Sequence, residues 1–293
     1  MKVEAECAAC IVSRGAAEAK EATTNPALRF RAMSDLMRLL TKEFRPSAVP
    51  AELGTKRDRV IRRVTGNNDP YKRSKRISNE KALKLLSYAR KLVEEGYAQE
   101  DRFKRACLCA IVGNIIEFDI PGHKALFSSL KKNFREASKD LAIDDINNAY
   151  ELTKKARTVL YLTDNAGEIV FDTLLIEQLK NMGLTVTVAV KGVPVINDAT
   201  LEDAEASGMS KVAERVITTG TDSVGLALKE VSAEFISAYD SVDIVFAKGM
   251  GYAETLTECK LKKPHFLLFR AKCTPVADFF GVAREKNVAK LMP

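Results

Sequence analysis

The stretch TVLYLTDNAGEIVFD, residues 158–172, changes rhythm in its middle. TVLYLT is a β-branched and apolar run with the length of a buried strand, DNAGE is a polar turn, and from Glu168 apolar side chains return at helical spacing. The same unit recurs downstream. Strand-like runs fall at LTVTVAV (184–190), RVITT (215–219), DIVFAKG (243–249) and HFLLFRA (265–271). Helical segments follow the five runs at Glu168–Lys180, Ala199–Ala206, Val224–Tyr239, Tyr252–Cys259 and Pro275–Phe280. Continuous apolar strands alternating with helices predict an α/β fold, a parallel Rossmann-like sheet flanked on both faces by helices.

Upstream the pattern is helical. Ala27, Phe30, Met33, Leu36, Met37 and Leu40 recur every three or four residues, as do Ala82, Leu85, Leu86, Ala89, Leu92 and Val93. Pro, Gly and Asn interrupt the pattern at 45–54, 65–71 and 119–124. No strand is expected before residue 157. Two domains follow: an all-helical one over 1–155 and an α/β one over 156–293.

The chain has 293 residues, 46% of them apolar, enough for a sizeable core. No run approaches the roughly 18 uninterrupted apolar residues of a spanning helix. The opening MKVEAECAAC carries glutamates where a signal peptide has an apolar run, so a cytoplasmic, non-membrane protein is expected. The net charge of +7 is uneven: residues 1–150 hold 29 Lys and Arg against 20 Asp and Glu, and residues 151–293 hold 17 against 19. Helical spacing beside acids explains most of this as solvated helix faces. Only Tyr71 lies near a basic run, at RSKR, so nucleic acid is not an expected partner.

The strand exits carry the chemistry: TDNAGE, KGVPVINDAT, TGTDS, AKGMGYAE and AKCTP. Ligands of open α/β sheets bind at such carboxyl-end loops. Asp164, Asn165 and Asp198 make an all-oxygen set suited to a hard divalent cation such as Mg²⁺ or Mn²⁺. The same aspartates serve equally well as helix caps, and spacing does not decide between the two. Gly167 opens a helix whose amides favour an anion, Lys248 offers an ammonium at a strand end, and Glu168 is placed to orient or deprotonate a water. Asn197, Asp222 and Ser223 lie on the same rim as candidate substrate contacts. Neither GxxxxGK[ST] nor GxGxxG occurs, and two histidines leave little room for a Ser-His-Asp site. Cys7 and Cys10 form a CxxC of unassigned role. With Cys107 and Cys109 they match zinc-site spacing poorly, and buried free thiols are the stronger reading.

YLTDNAGEIVFD (161–172), KGVPVINDAT (191–200), FAKGMGYAET (246–255) and RAKCTPVADFFGV (270–282) resemble, in order, the motifs of the damage-control phosphatase family, formerly domain of unknown function 89. In the helical half CAAC, TGNNDPYKRSKRISN (65–79) and GNIIEFDI (113–120) resemble it too, so the likeness spans nearly the whole chain. It implies a phosphomonoesterase using Mn²⁺, Ni²⁺, Co²⁺ or Mg²⁺ on a small phosphorylated metabolite. Metal ligands would fall on Asp164, Asn165 and Asp198, with acid/base and phosphate contacts on Glu168 and Lys248. Asn79 and Asn114, from the helical motifs, are expected to face the pocket, with the helical half as a lid over the sheet's carboxyl edge. CxxC is similar to the branch linked to nucleotide-type substrates, damaged or oxidised nucleotides among them. The sequence departs from the family pattern at Glu117, where Asp is expected, and at Met250 and Tyr252, where Gln and Asn are commoner.

Two other readings compete. An S-adenosylmethionine-dependent carboxyl methyltransferase fits an α/β sheet, but TDNAGE lacks the open glycine turn that cradles that cofactor. A non-enzymatic adaptor, binding nucleic acid or metal through its basic half and its thiols, would reveal itself by steep salt dependence.

Overall fold

In the computed structural model, which describes residues 1–113, 132–134 and 136–293, the N-terminal part is a run of helices. These are α1 (Glu6–Ala22), α2 (Pro26–Glu43), α3 (Pro50–Thr65), α4 (Lys72–Glu94) and α5 (Gln99–Gly113). Local chemistry sets their ends. Asn25 caps α2 by accepting from the Ala27 and Leu28 amides, with Pro26 just inside. Pro50 opens α3, and Gly66 closes it in the left-handed conformation at φ 71°.

The remainder is the α/β unit. It runs β1 (Leu141–Asp144), α6 (Ile146–Thr153), β2 (Thr158–Leu162), α7 (Glu168–Asn181), β3 (Thr185–Val190), α8 (Leu201–Ala206), α9 (Met209–Val212) and β4 (Arg215–Thr218). Then come α10 (Ala233–Ser241), β5 (Ile244–Lys248), α11 (Met250–Leu256), β6 (His265–Arg270), α12 (Thr274–Phe280) and β7 (Asn287–Met292).

The seven strands lie in the order β1-β7-β6-β5-β2-β3-β4. The five strands read from the sequence are mutually parallel, while β7 pairs antiparallel with β6 and β1 parallel with β7. The sheet is therefore mixed. Two expectations are corrected. β1 precedes residue 157; with four residues and a burial pattern alternating between half-buried and exposed, it carries no apolar run to announce it. The helix expected over 224–239 begins only at Ala233, where Ser232 caps the Phe235 amide. Before it, the carbonyls of Ser223 and Gly225 are taken by the Lys191 ammonium, at 2.7 and 2.9 Å, which holds that segment out of a helix.

Both faces of the sheet are covered. Val159, Tyr161, Val188, Phe246 and Phe266 join the core under α4, α5 and α7; Leu160, Leu162, Val245, Leu267 and Phe269 face α10, α11 and α12. That explains why α7 is apolar nearly all round: it lies between the sheet and the helices α4 and α5. Phe246 packs edge-on to Phe266 at 5.3 Å and to Phe103 at 6.3 Å. No helix among the described residues is long and apolar enough to cross a membrane.

The chain passes from β2 outward to β3 and β4, then returns to lay β5 on the other side of β2. The reversal opens a crevice beyond the carboxyl ends of β2 and β5, the place where such sheets bind ligands.

Candidate active site

The exits of β2 and β3 are joined by backbone. Ala166 N–H donates to Asn197 O at 2.9 Å and Ala199 N–H to Asp164 O at 2.8 Å, so Asn165 and Asp198 form an isolated antiparallel bridge. A turn thus does what an extended strand cannot. It brings Asp164, Asn165 and Asp198 to one rim. The exit of β5 completes the corner: Gly249, at φ 85°, lies so close to Asp164 that a Cβ there would overlap the carboxylate.

These residues line a cleft of about 610 Å³. Asp164, Asn165, Asn197 and Asp198 form its floor. Cys7, Cys10 and Arg14 of α1 and Arg57 of α3 face them from the helical side, and Lys272 and Cys273 stand beyond β6.

The carboxylates are crowded. Burial, reinforced by Glu168 and Asp198, holds the Asp164 carboxyl well above the usual range, against the pull of Lys272 and Lys248. Burial likewise pushes Asp198 up to about 6, although Lys191 opposes it at 3.6 Å. Asn165 ties the group together, its Nδ2 donating to Asp164 Oδ2 at 2.8 Å and to Glu168 Oε2 at 3.1 Å.

Beneath this floor lies a second, buried layer. Lys248 pairs with Glu168, with Asp172 at 3.1 Å, and donates to Ala110 O at 2.8 Å. Burial works against its charge, but Asp172 and Glu168 outweigh it and hold the ammonium above its ordinary proton affinity. Tyr161 donates to Asp172 Oδ1 at 2.7 Å. Burial lifts Asp172 to about 6 despite the lysine.

Several residues expected at the substrate have other partners. Lys248 does not line the cleft; its ammonium is bound to the layer below, so the direct phosphate contact expected of it is not what this geometry provides. Glu168 is likewise buried and acts on the rim through Asn165. The Gly167 amide donates to Asn79 Oδ1 at 2.6 Å, and Asn79 in turn donates to Asp203, so this helix start is capped from α4. Asp222 is held by Arg59 and Arg62 of α3, and the Ser223 hydroxyl by Glu230 at 2.8 Å. Asn114 lies outside the described residues.

Sequence reading missed Lys191, which sits at the end of β3 as Lys248 does at the end of β5 and reaches under Asp198. Its position in KGVPVINDAT was the available signal. It also missed Arg14, Arg57 and Lys272, which come from elements that are distant in sequence and meet only in the fold.

Among the described residues, no group of three His, Cys, Asp and Glu side chains forms a ready-made metal site. Two aspartates and an amide are the donors on offer, and a hard cation that keeps part of its water suits such a set. The crowding of buried carboxylates is what a bound cation would relieve.

A mixed α/β sheet with an oxygen-rich cleft at its switch point defines the class. Comparison with known proteins gives the family. A model of the damage-control phosphatase ARMT1-like domain matches residues 3–288. Damage-control phosphatases of Archaeoglobus fulgidus and Pyrococcus horikoshii are 35% and 37% identical to this chain; the alignments cover 100% and 99% of it and 100% and 96% of theirs. An uncharacterized protein of Methanocaldococcus jannaschii is 36% identical over 98% of this chain and 95% of its own. The crystal structure of a DUF89 family protein from Pyrococcus horikoshii superposes with a TM-score of 0.88 at 36% identity, over 99% of this chain and 98% of that one. The chain belongs to the damage-control phosphatase ARMT1-like family.

Proposed function

We propose that this chain is a divalent-metal-dependent phosphatase that hydrolyses phosphomonoesters of small metabolites, in keeping with the metabolite-repair role of its family. The observation that carries the reading is the backbone bridge that sets Asn165 against Asp198 beside Asp164 at the switch-point cleft. In it Asp164, Asn165 and Asp198 hold Mg²⁺, Mn²⁺, Co²⁺ or Ni²⁺. When bound, the cation supplies Lewis-acid polarisation of the phosphoryl oxygens.

The protein's part is placement. Glu168 and Lys248 hold Asn165 from below, and Lys191 supports Asp198. Arg14, Arg57 and Lys272 give the cleft wall positive charge toward an anionic substrate, with α1 and α3 acting as the lid, while α4 and α5 cover a face of the sheet instead. The cleft volume suits a metabolite, not a polymer. The methyltransferase reading loses support because Asn79 already occupies the Gly167 amide, leaving no open glycine turn there.

The test is phosphate release from a panel of sugar phosphates, nucleotides and other phosphomonoesters with each of the four metals. Hydrolysis of at least one is expected; hydrolysis of none contradicts the proposal.

A further inference from the structure

Ile196 stands two residues before Asp198 with φ 38°. Among the described residues, only it and Glu285 are non-glycine residues at positive φ. A β-branched side chain is a poor occupant of that region, and such strain persists only where the surroundings enforce it. The enforcing contacts are visible. Asp198 N–H donates to Val195 O at 3.0 Å, closing a turn with Ile196 at its second position, a place usually given to Gly, Asn or Asp when φ is positive. The Ile196 amide itself donates to Asp58 Oδ1 at 3.1 Å.

Asp58 belongs to α3, in the helical part, and is fully buried. Its other oxygen accepts from Arg62 Nε at 2.6 Å, so the carboxylate is fixed before it meets the turn. The same helix reaches the next strand exit, where Thr55 Oγ1 accepts from the Val224 amide at 2.9 Å.

We propose that Asp58 is a positioning residue, through which the cap helix α3 holds the 195–198 turn in its strained form and thereby sets Asp198 opposite Asn165. Assembly of the rim then depends on the cap being docked on the sheet. The consequence for metal rests on the function proposed above; the claim about the turn does not.

The test uses the full chain and two readouts. Amide hydrogen exchange of peptides covering 192–200, without metal, reads the turn. Mn²⁺ binding followed by electron paramagnetic resonance reads the rim. Asp58→Ala should speed exchange and weaken Mn²⁺ binding at least ten-fold, whereas Asp58→Asn, which keeps one acceptor for the Ile196 amide but loses the pair with Arg62, should fall between Asp58→Ala and wild type. Ile196→Gly removes the strain and, added to Asp58→Ala, should restore protection and bring Mn²⁺ affinity back to within about three-fold. Unchanged exchange in Asp58→Ala, or no rescue by glycine, would overturn the proposal. Should Asp58→Ala not fold, Ile196→Gly and Ile196→Ala decide it: both delete the side chain, and only glycine accepts the turn freely. Gly at least as stable as Ala supports enforced strain; Ala the more stable contradicts it. A wild type that neither binds Mn²⁺ nor releases phosphate would defeat the metal reading, with the exchange result still judging Asp58.

Discussion

Asn165 and Asp198 face one another across an antiparallel bridge whose flanking hydrogen bonds run Ala166 to Asn197 and Ala199 to Asp164. That arrangement makes them a non-hydrogen-bonded pair, the kind whose Cα atoms approach to about 4.5 Å with side chains on one face. Two loops separated by an entire strand are thereby fixed to each other by main chain, and the donors they carry need little reorganisation to act together.

Neutralising the rim should separate stability from activity. Asp164→Asn removes a charge that burial disfavours, whereas Asp198→Asn also takes the counter-charge from buried Lys191. Thermal melts should show a midpoint equal to or above that of wild type for Asp164→Asn and below it for Asp198→Asn, while phosphomonoester turnover falls by about two orders of magnitude or more in both. A large drop in melting temperature for Asp164→Asn would show that carboxylate to be structural.

Lys248→Met should be costly in both respects. It leaves Glu168 and Asp172 buried without their shared cation, a loss on the order of 3–5 kcal/mol for a broken buried pair. Because Glu168 holds Asn165, Mn²⁺ affinity should fall with it. Denaturant melts and a Mn²⁺ titration check this; a stable variant with unchanged metal affinity would remove Lys248 from the support of the rim.

Gly249→Ala places a methyl group onto Asp164 at a backbone φ of 85°. Loss of at least about 1 kcal/mol of stability and nearly all turnover is expected. Wild-type kinetics for this variant would mean that Asp164 has room to move away.

The helical part carries a pH dependence. Glu18 is buried beside Arg57, at 3.0 Å, and Asp58; burial, despite the arginine and with Asp58 reinforcing it, raises its carboxyl to about 8. A carboxyl whose folded-state value lies above its unfolded value of 4.5 stabilises the fold fully below pH 4.5 and loses that contribution as pH rises toward 8. Glu18→Gln should flatten this slope, a difference on the order of a few kcal/mol between pH 5 and pH 8 in urea melts. Identical slopes in the two proteins would contradict it.

The parallel strands and the rim were legible because each strand was an apolar run ending in Asp, Asn, Gly or Lys. β1 and β7 were not. Residues 141–144 are half-buried or exposed, and the second half of β7 is only partly buried, so neither carries a continuous apolar signal. The division of labour at the site was hidden for a different reason. From their strand exits Lys248 read as a phosphate contact and Glu168 as the group on an attacking water, yet whether an exit side chain turns into the cleft or beneath it depends on partners such as Ala110, which lies 138 residues from Lys248. Asp58 carried no sequence signal at all, since its partner is a backbone amide on a distant loop.

If the rim of Asp164, Asn165 and Asp198 holds the metal that hydrolysis requires, turnover depends on both the ion and the rim. The most direct measurement is phosphate release by wild type after chelation and dialysis, then with Mn²⁺, Ni²⁺, Co²⁺ or Mg²⁺ restored, alongside Asp198→Asn treated identically. The stripped wild type should release negligible phosphate and recover with metal, and the variant should not recover. Undiminished release from the stripped protein, or full recovery in Asp198→Asn, would contradict it.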